Sequence, residues 1–379
     1  MKERSVLQIT NYSSNYAGNF IPLLVHLEKA LARIGLRQVF VLPETARAYK
    51  WSAALEADGH HVVYLPLGSA TEISALATLA REENCAILHT HFNALDIAAW
   101  LAVKYRLGSR KAPALVWHCH SGWAPGPRRP LRILKDIIKL RVMARSVRLI
   151  AVSESVKNEQ IEHGCPPSRV QVVCNGVDLA RIDSSARSKE EACSLFGFAP
   201  EESIVLALGW DPLRKGVDTL VKAFSQIQAR RQMRLVLVGG ASMEALLHQY
   251  LGSSWPDWLT VIPTSEDLPK MYYAADLFVS ASRVEGFPYG VLEALAAGVP
   301  VVSTDIPALT WAREIPSVLF VNPEDPEEMA EKIITAIEWP AAMRRERVNQ
   351  GALIVRKNFG ADTWAESMIK CYTSIVNQT

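Results

Sequence analysis

No G-x-G-x-x-G turn and no Walker phosphate loop occurs in the 379 residues, which leaves dinucleotide oxidoreductases and P-loop ATPases without their phosphate-binding motif. No two aspartates stand two positions apart, so the Asp-x-Asp arrangement that could seat a divalent cation is missing and no metal is expected. The six cysteines (Cys85, Cys119, Cys165, Cys174, Cys193, Cys371) form neither a C-x-x-C pair nor a dense framework, which fits a reducing compartment. No run of about 18 apolar residues marks a membrane span, and MKERSVLQIT has no apolar signal-like core. A cytoplasmic location is expected, with any membrane contact peripheral. Net charge is scarce too: 41 Lys and Arg against 39 Asp and Glu leave +2, which argues against a general polyanion binder and so against nucleic acid as a partner.

What is present is a long and apolar chain. With 49% hydrophobic residues it can build two or three domains, each burying its own core. Short apolar runs rich in β-branched residues read as strands: VLQIT, RQVFVL, HVVYL, CAILH, ALVWH and VRLIAVS, then SIVLAL, RLVLV, DLFVS, VPVVS and SVLFV. Segments long enough for crossover helices separate most of them, and that alternation implies parallel sheets covered on both faces. The pattern runs twice. The expected fold is therefore α/β, two doubly wound Rossmann-like domains facing across a cleft, at 1–180 and 181–360. VCNGVD gives way there to the polar LARIDSSARSKEE. The segment 361–379 reads as an amphipathic helix with Trp364, Met368 and Tyr372 at helical spacing, and the pattern alone lets it finish either domain.

The most informative stretch is ASRVEGFPYGVLEALAAGVPVVSTD, residues 281–305. Pro288 suits a first helical position and Gly298 the residue just past a C-terminus, with the strand VPVVS following. Such a helix presents N–H groups at Tyr289, Gly290 and Val291 that, with its dipole, favour an anion. Gly286 and Gly290 would let a ligand approach the backbone. Glu293, one to two turns in, leans back toward the mouth lined by Glu285. Carboxylates accept from sugar hydroxyls while N–H groups and cations take phosphate oxygens, so the combination suits a nucleotide sugar. Read in isolation, Glu285 could equally be a helix-dipole partner and Glu293 a solvated surface residue.

Glu285 and Glu293, seven residues apart within EGFPYGVLEALAAGVPVV, resemble the E-x7-E signature of the retaining, nucleotide-sugar-dependent glycosyltransferases of family 4 (group 1), which have the GT-B fold. The resemblance implies that Glu293 takes the ribose hydroxyls, that Glu285 and Phe287 lie near the donor, and that backbone near Pro263 and Thr264 contacts the base. It makes NGVD the interdomain crossover and returns the last helix to the first domain. In VLALGWDPLRKGVDTL, Lys215 matches the family lysine, but Trp210 stands where the family has arginine. Arg214 is either the replacement charge or a solvated turn residue. The family often has two glycines in its first loop; here TNYSSNYAGNF carries Gly18 alone.

His89, His91, His118 and His120 form two H-x-H pairs at strand ends, an arrangement in which a metal site is conceivable but unsupported by acidic partners. The resemblance aligns His120 with a histidine that contacts the donor sugar; read from the residues alone, His120 could also be a core or hydrogen-bonded structural residue, the reading favoured for His89. Tyr12, His91, Asn93 and Trp123 are the acceptor-side candidates. From Arg128 to Arg148 eight cations and one acid alternate with Leu and Ile, as in a helix lying on an anionic membrane or, equally, a solvated helix with one face on the core.

The resulting expectation is a hexosyl- or N-acetylhexosaminyltransferase. It moves a sugar with retention from a nucleoside-diphosphate sugar, UDP- or GDP-linked first, to an acceptor hydroxyl in polysaccharide, glycolipid or natural-product synthesis. His120, Glu285 and Lys215 form the catalytic set, and no cofactor is required. A nucleotide-sugar epimerase or phosphorylase-like enzyme, or a noncatalytic nucleotide-sugar-binding protein, would share the nucleotide site.

Overall fold

The computed structural model describes residues 3–106, 112–122, 130–228, 231–252 and 255–377. Contacts divide the chain into two units, Met1–Asn175 with Asp362–Thr379, and Gly176–Ala361.

The first unit holds β1 (Arg4–Ile9), β2 (Leu36–Pro43), β3 (Val62–Leu65), β4 (Cys85–His91), β5 (Ala114–Cys119), β6 (Arg148–Ala151) and β7 (Val170–Val172). These make one parallel sheet in the order β3-β2-β1-β4-β5-β6-β7. The second holds β8 (Ile204–Leu208), β9 (Arg234–Val238), β10 (Leu259–Ile262), β11 (Leu277–Ser280), β12 (Val301–Thr304) and β13 (Val318–Val321), in the order β10-β9-β8-β11-β12-β13. Two parallel α/β sheets are thus the architecture. Central strands such as β8 and β12 are buried along their whole length, which is why they read as unbroken apolar runs. The two strands that the apolar pattern does not reveal, β7 (VQV) and β10 (LTVI), are short, partly buried sheet edges interrupted by Gln171 and Thr260.

Local signals set the helix ends. Ser188 and Glu191 close a reciprocal capping box on the helix Lys189–Phe196, and Gly197 ends it in the left-handed conformation at φ 73°. The last helix, Ala361–Val376, is tied to β1 through buried Tyr372, whose hydroxyl accepts from Gln8 Nε2 at 3.1 Å.

In each sheet the strand order reverses once, between β1 and β4 and between β8 and β11. The loops leaving the carboxyl ends of those neighbours diverge and open a crevice, which is where open α/β sheets place their ligands.

Candidate active site

In the second unit the reversal brings the loop after β8 against the loop after β11. Glu285, only 8% exposed, receives three donors: Lys215 Nζ, Arg214 Nη1 at 3.1 Å and Ser282 Oγ at 2.8 Å. Burial pushes the Glu285 carboxyl up, but Lys215 and Arg214 outweigh it and hold the group below its usual value. Burial draws Lys215 down; Glu285 opposes that, while the like charge of Arg214 adds to it. Glu285 is therefore ionised at neutral pH. Arg214 also pairs through Nε with exposed Asp211 at 3.0 Å, so the two cations face two carboxylates, Glu285 buried and Asp211 screened by solvent. Trp210 lies half exposed with Lys215 Nζ 4.3 Å from its ring centroid, so it supplies a cation–π face rather than a charge.

The turn that aims Lys215 depends on Gly216. Its φ is +64°, and a Cβ there would lie 2.0 Å from the Ala281 carbonyl oxygen. Gly216→Ala is expected to cost at least about 2 kcal/mol, from the left-handed backbone and the displaced β11 loop together. An unchanged thermal midpoint would refute this. Arg283 braces the same turn by pairing with both oxygens of Asp218, at 2.8 Å each.

The helix following this loop is Tyr289–Ala296, with Pro288 as its cap in extended conformation, one position earlier than expected, and Gly298 past its end at φ 77°. Glu293 is 3% exposed, accepting from Tyr272 Oη at 2.8 Å and pairing with Arg181 at 3.1 Å. It is therefore not a solvated surface residue.

Two expected ligand contacts are corrected in this helix region. Gly290 is small for packing rather than for ligand approach: a Cβ there would meet Leu208 Cδ1 at 2.7 Å and Phe278 Cζ at 3.0 Å. Phe287 is a core side chain, stacked on Trp311 at 4.9 Å and beside Phe359, which leaves only its backbone for a ligand. Gly286 and Val291 are buried, and Pro263 and Thr264 follow β10 at the same carboxyl edge, the former exposed and the latter partly so.

In the first unit the loops after β1 and β4 meet in an aromatic cluster of Tyr12, Phe20 and Phe92. Tyr12 Oη donates to the Tyr16 carbonyl at 2.7 Å and covers Gly18, which sits at φ +62°. Both residues are thus engaged within the loop. His91 is completely buried, with Nε2 on Gln8 Oε1 and Nδ1 on His120 Nε2, each at 3.0 Å, so it cannot touch an acceptor. Asn93 holds φ 64° and accepts from Lys139 at 3.5 Å. Trp123 lies outside the described residues. His120 is partly exposed and packs edge-on against Phe20.

Burial drives His89, His91 and His120 well below the usual histidine value and His118 to about 3, so all four rings are neutral at pH 7. His89, His91 and His118 bring one ring nitrogen each within 4.8 Å of one another, the one group among the described residues that could hold a metal ion. Both His91 nitrogens are already hydrogen-bonded, to Gln8 and His120, so a metal there would have to displace one of those bonds.

The chain matches two family models that together span both units: one described as Glycosyltransferase Family 4 over residues 23–181, and one as Glycosyl transferases group 1 over residues 202–338. The chain belongs to the group 1 glycosyltransferases. It is 29% identical over 314 residues to a D-inositol 3-phosphate glycosyltransferase of Salinispora arenicola, covering 76% of this chain and 69% of that protein. The counterpart from Salinispora tropica is 30% identical over 314 residues, covering 76% of this chain and 64% of that one. Among solved structures, a glycosyltransferase from Rickettsia africae superposes with a TM-score of 0.80 at 17% identity, covering 100% of both chains. HepE from Anabaena, solved with UDP and glucose, gives 0.78 at 18% identity over 98% of this chain and 100% of that one. At that identity the likeness shows the GT-B fold.

Several residues that shape the site of this glycosyltransferase carry no strong sequence signal. Arg181 is brought to Glu293 by the short helix Leu179–Ser184, whose N-cap is Asp178 of NGVD. Tyr272 and Ser282 are ordinary residues in sequence and become ligands of the two carboxylates only through packing. Gln8 did offer a clue, as a polar residue in the middle of the apolar strand VLQI.

Proposed function

We propose that this chain transfers a sugar, with retention, from a nucleoside-diphosphate sugar to an acceptor hydroxyl. The observation that carries the reading is the buried Lys215–Glu285–Arg214 cluster at the strand reversal of the second sheet, beside the N-terminus of the helix Tyr289–Ala296. When a glycosyl diphosphate cleaves, negative charge grows on the leaving phosphate. Lys215, Arg214 and the first N–H groups of that helix stabilise it without having to reorganise. Glu285 holds both cations in place, and Glu293, oriented by Arg181 and Tyr272, accepts from ribose hydroxyls. The leaving phosphate takes the acceptor proton. His120 meets the transferred sugar, and no metal or cofactor takes part in this scheme. HepE was solved with UDP and with UDP-glucose, which supports UDP-sugars as the first donors to test.

The test is calorimetric binding and diphosphate release with UDP-, GDP-, ADP- and TDP-sugars, with Glu293→Gln as control. Selective binding that falls at least about tenfold in the variant supports the site. Equal affinity in both proteins sinks the role of Glu293.

For the acceptor we infer a lipid-linked hydroxyl at an anionic membrane surface in the cytoplasm. No described helix is long and apolar enough to cross a membrane. The helix Pro130–Arg141 exposes Leu134 (53%), Ile137 (40%) and Ile138 (41%), with Val142 (61%) just beyond, beside exposed Lys135, Arg141 and Arg145. Lys139 of this helix turns inward to pair with buried Asp96. Apolar side chains flanked by cations suit insertion into an anionic interface, at about 1 kcal/mol per cation. The protein is expected to sediment with phosphatidylglycerol vesicles at low salt and not with phosphatidylcholine vesicles, and Ile138→Glu should abolish the difference. Equal sedimentation with both lipids would remove the membrane from the scheme.

A further inference from the structure

Buried polar side chains in the first unit form a hydrogen-bonded series whose direction is set at one end. Gln38 Nε2 donates to the Leu24 carbonyl at 2.7 Å, and a carbonyl can only accept. The Gln38 amide is thereby oriented, so its Oε1 accepts from Gln8 Nε2 at 3.2 Å. Gln8 Oε1 is then left to face His91 Nε2 at 3.0 Å, which requires that nitrogen to carry a proton. Burial keeps His91 neutral, so its Nδ1 has only a lone pair and must accept from His120 Nε2, 3.0 Å away. His120, neutral for the same reason, is left with a lone pair on Nδ1, and that atom is buried without a hydrogen-bond partner. Each link sits on a different element: the helix Phe20–Ala32, β2, β1, β4 and the loop after β5.

We infer that Gln38, Gln8 and His91 are positioning residues that lock His120 as its Nε2–H tautomer, making His120 Nδ1 an obligate acceptor for a hydroxyl of the transferred sugar. The inference rests on the proposed transferase function for its sugar, and on the hydrogen-bond geometry together with the neutrality of the buried rings for its tautomer. A ring held this way cannot donate from Nδ1 to a phosphate oxygen, so His120 selects for a hydroxyl donor.

Two-bond ¹⁵N–¹H spectra of the full chain labelled at histidine, assigned with single-histidine variants, test the tautomer. His91 and His120 are both expected as Nε2–H from pH 6 to 8; an Nδ1–H His120, or one that titrates in that range, overturns the inference. Gln38→Met removes the anchor, so His120 should become a tautomer mixture and kcat should fall in proportion to the Nε2–H fraction, about twofold for an equal mixture, while donor KM stays nearly unchanged. Gln8→Leu serves if the first variant does not fold. Donors lacking one sugar hydroxyl at a time should identify one whose loss slows the wild type but not Gln38→Met. Mixed tautomers with unchanged kcat would overturn the positioning role. A folded wild type that turns over no nucleotide sugar would refute the transferase reading, while the spectra still decide the tautomer.

Discussion

Lys215→Ala is expected to lower kcat by about 10²–10³-fold with any nucleoside-diphosphate sugar the enzyme accepts, the scale seen when one preorganised donor to a developing oxyanion is removed. The effect should fall on kcat more than on KM, because the charge that Lys215 meets grows as the bond to the diphosphate breaks. Stability should suffer as well. The substitution leaves Glu285, 8% exposed, with only Arg214 and Ser282 as donors. Breaking a buried pair outright costs about 3–5 kcal/mol, and the remaining contacts place this case at the low end. The two effects separate in Lys215→Met/Glu285→Gln, which removes both charges of the pair: its thermal midpoint should recover toward wild type while turnover stays low. A single variant whose kcat remains within about threefold of wild type would remove Lys215 from the chemistry.

Acidification is expected to destabilise the first unit steeply. His89, His91 and His118 are fully buried in the native state and lie well below the usual histidine value, His118 at about 3. In the unfolded chain they titrate near about 6.5. Below that pH the unfolded state binds protons that the native state refuses, so stability falls as pH falls and is recovered as pH rises through about 6.5. His118, held at about 3, contributes about 1.4 kcal/mol per pH unit, or about 2 kcal/mol by pH 5, and His89 and His91 act in the same direction. Thermal melts between pH 7.5 and 5 should show the midpoint of the first unit dropping steeply, and His118→Phe should flatten the slope. A midpoint that stays within a few degrees over that range would show that the imidazoles are not held neutral by burial.

The sequence by itself determined the class of the fold, because eleven strands carry apolar runs, most of them buried, and parallel strands covered on both faces leave that trace. β7 and β10 escaped it because they are short edges interrupted by Gln171 and Thr260. It also determined where to look for chemistry. Glu285, Glu293, Lys215 and Gly298 stand out through spacing and backbone chemistry, both local properties of a loop and a helix end. Only the tertiary structure decided what these groups face. Glu285 and Lys215 are 70 residues apart and meet because β8 and β11 are neighbours where the strand order reverses. Arg181 and Glu293, 112 apart, meet because a short helix follows Asp178. Packing likewise withdrew the His91 and Phe287 side chains from the ligand and gave Gly290 a helix–sheet contact instead. Periodicity and capping are written within a few residues of the chain, whereas the partner of a buried charge is chosen by which distant segments share an edge of a sheet.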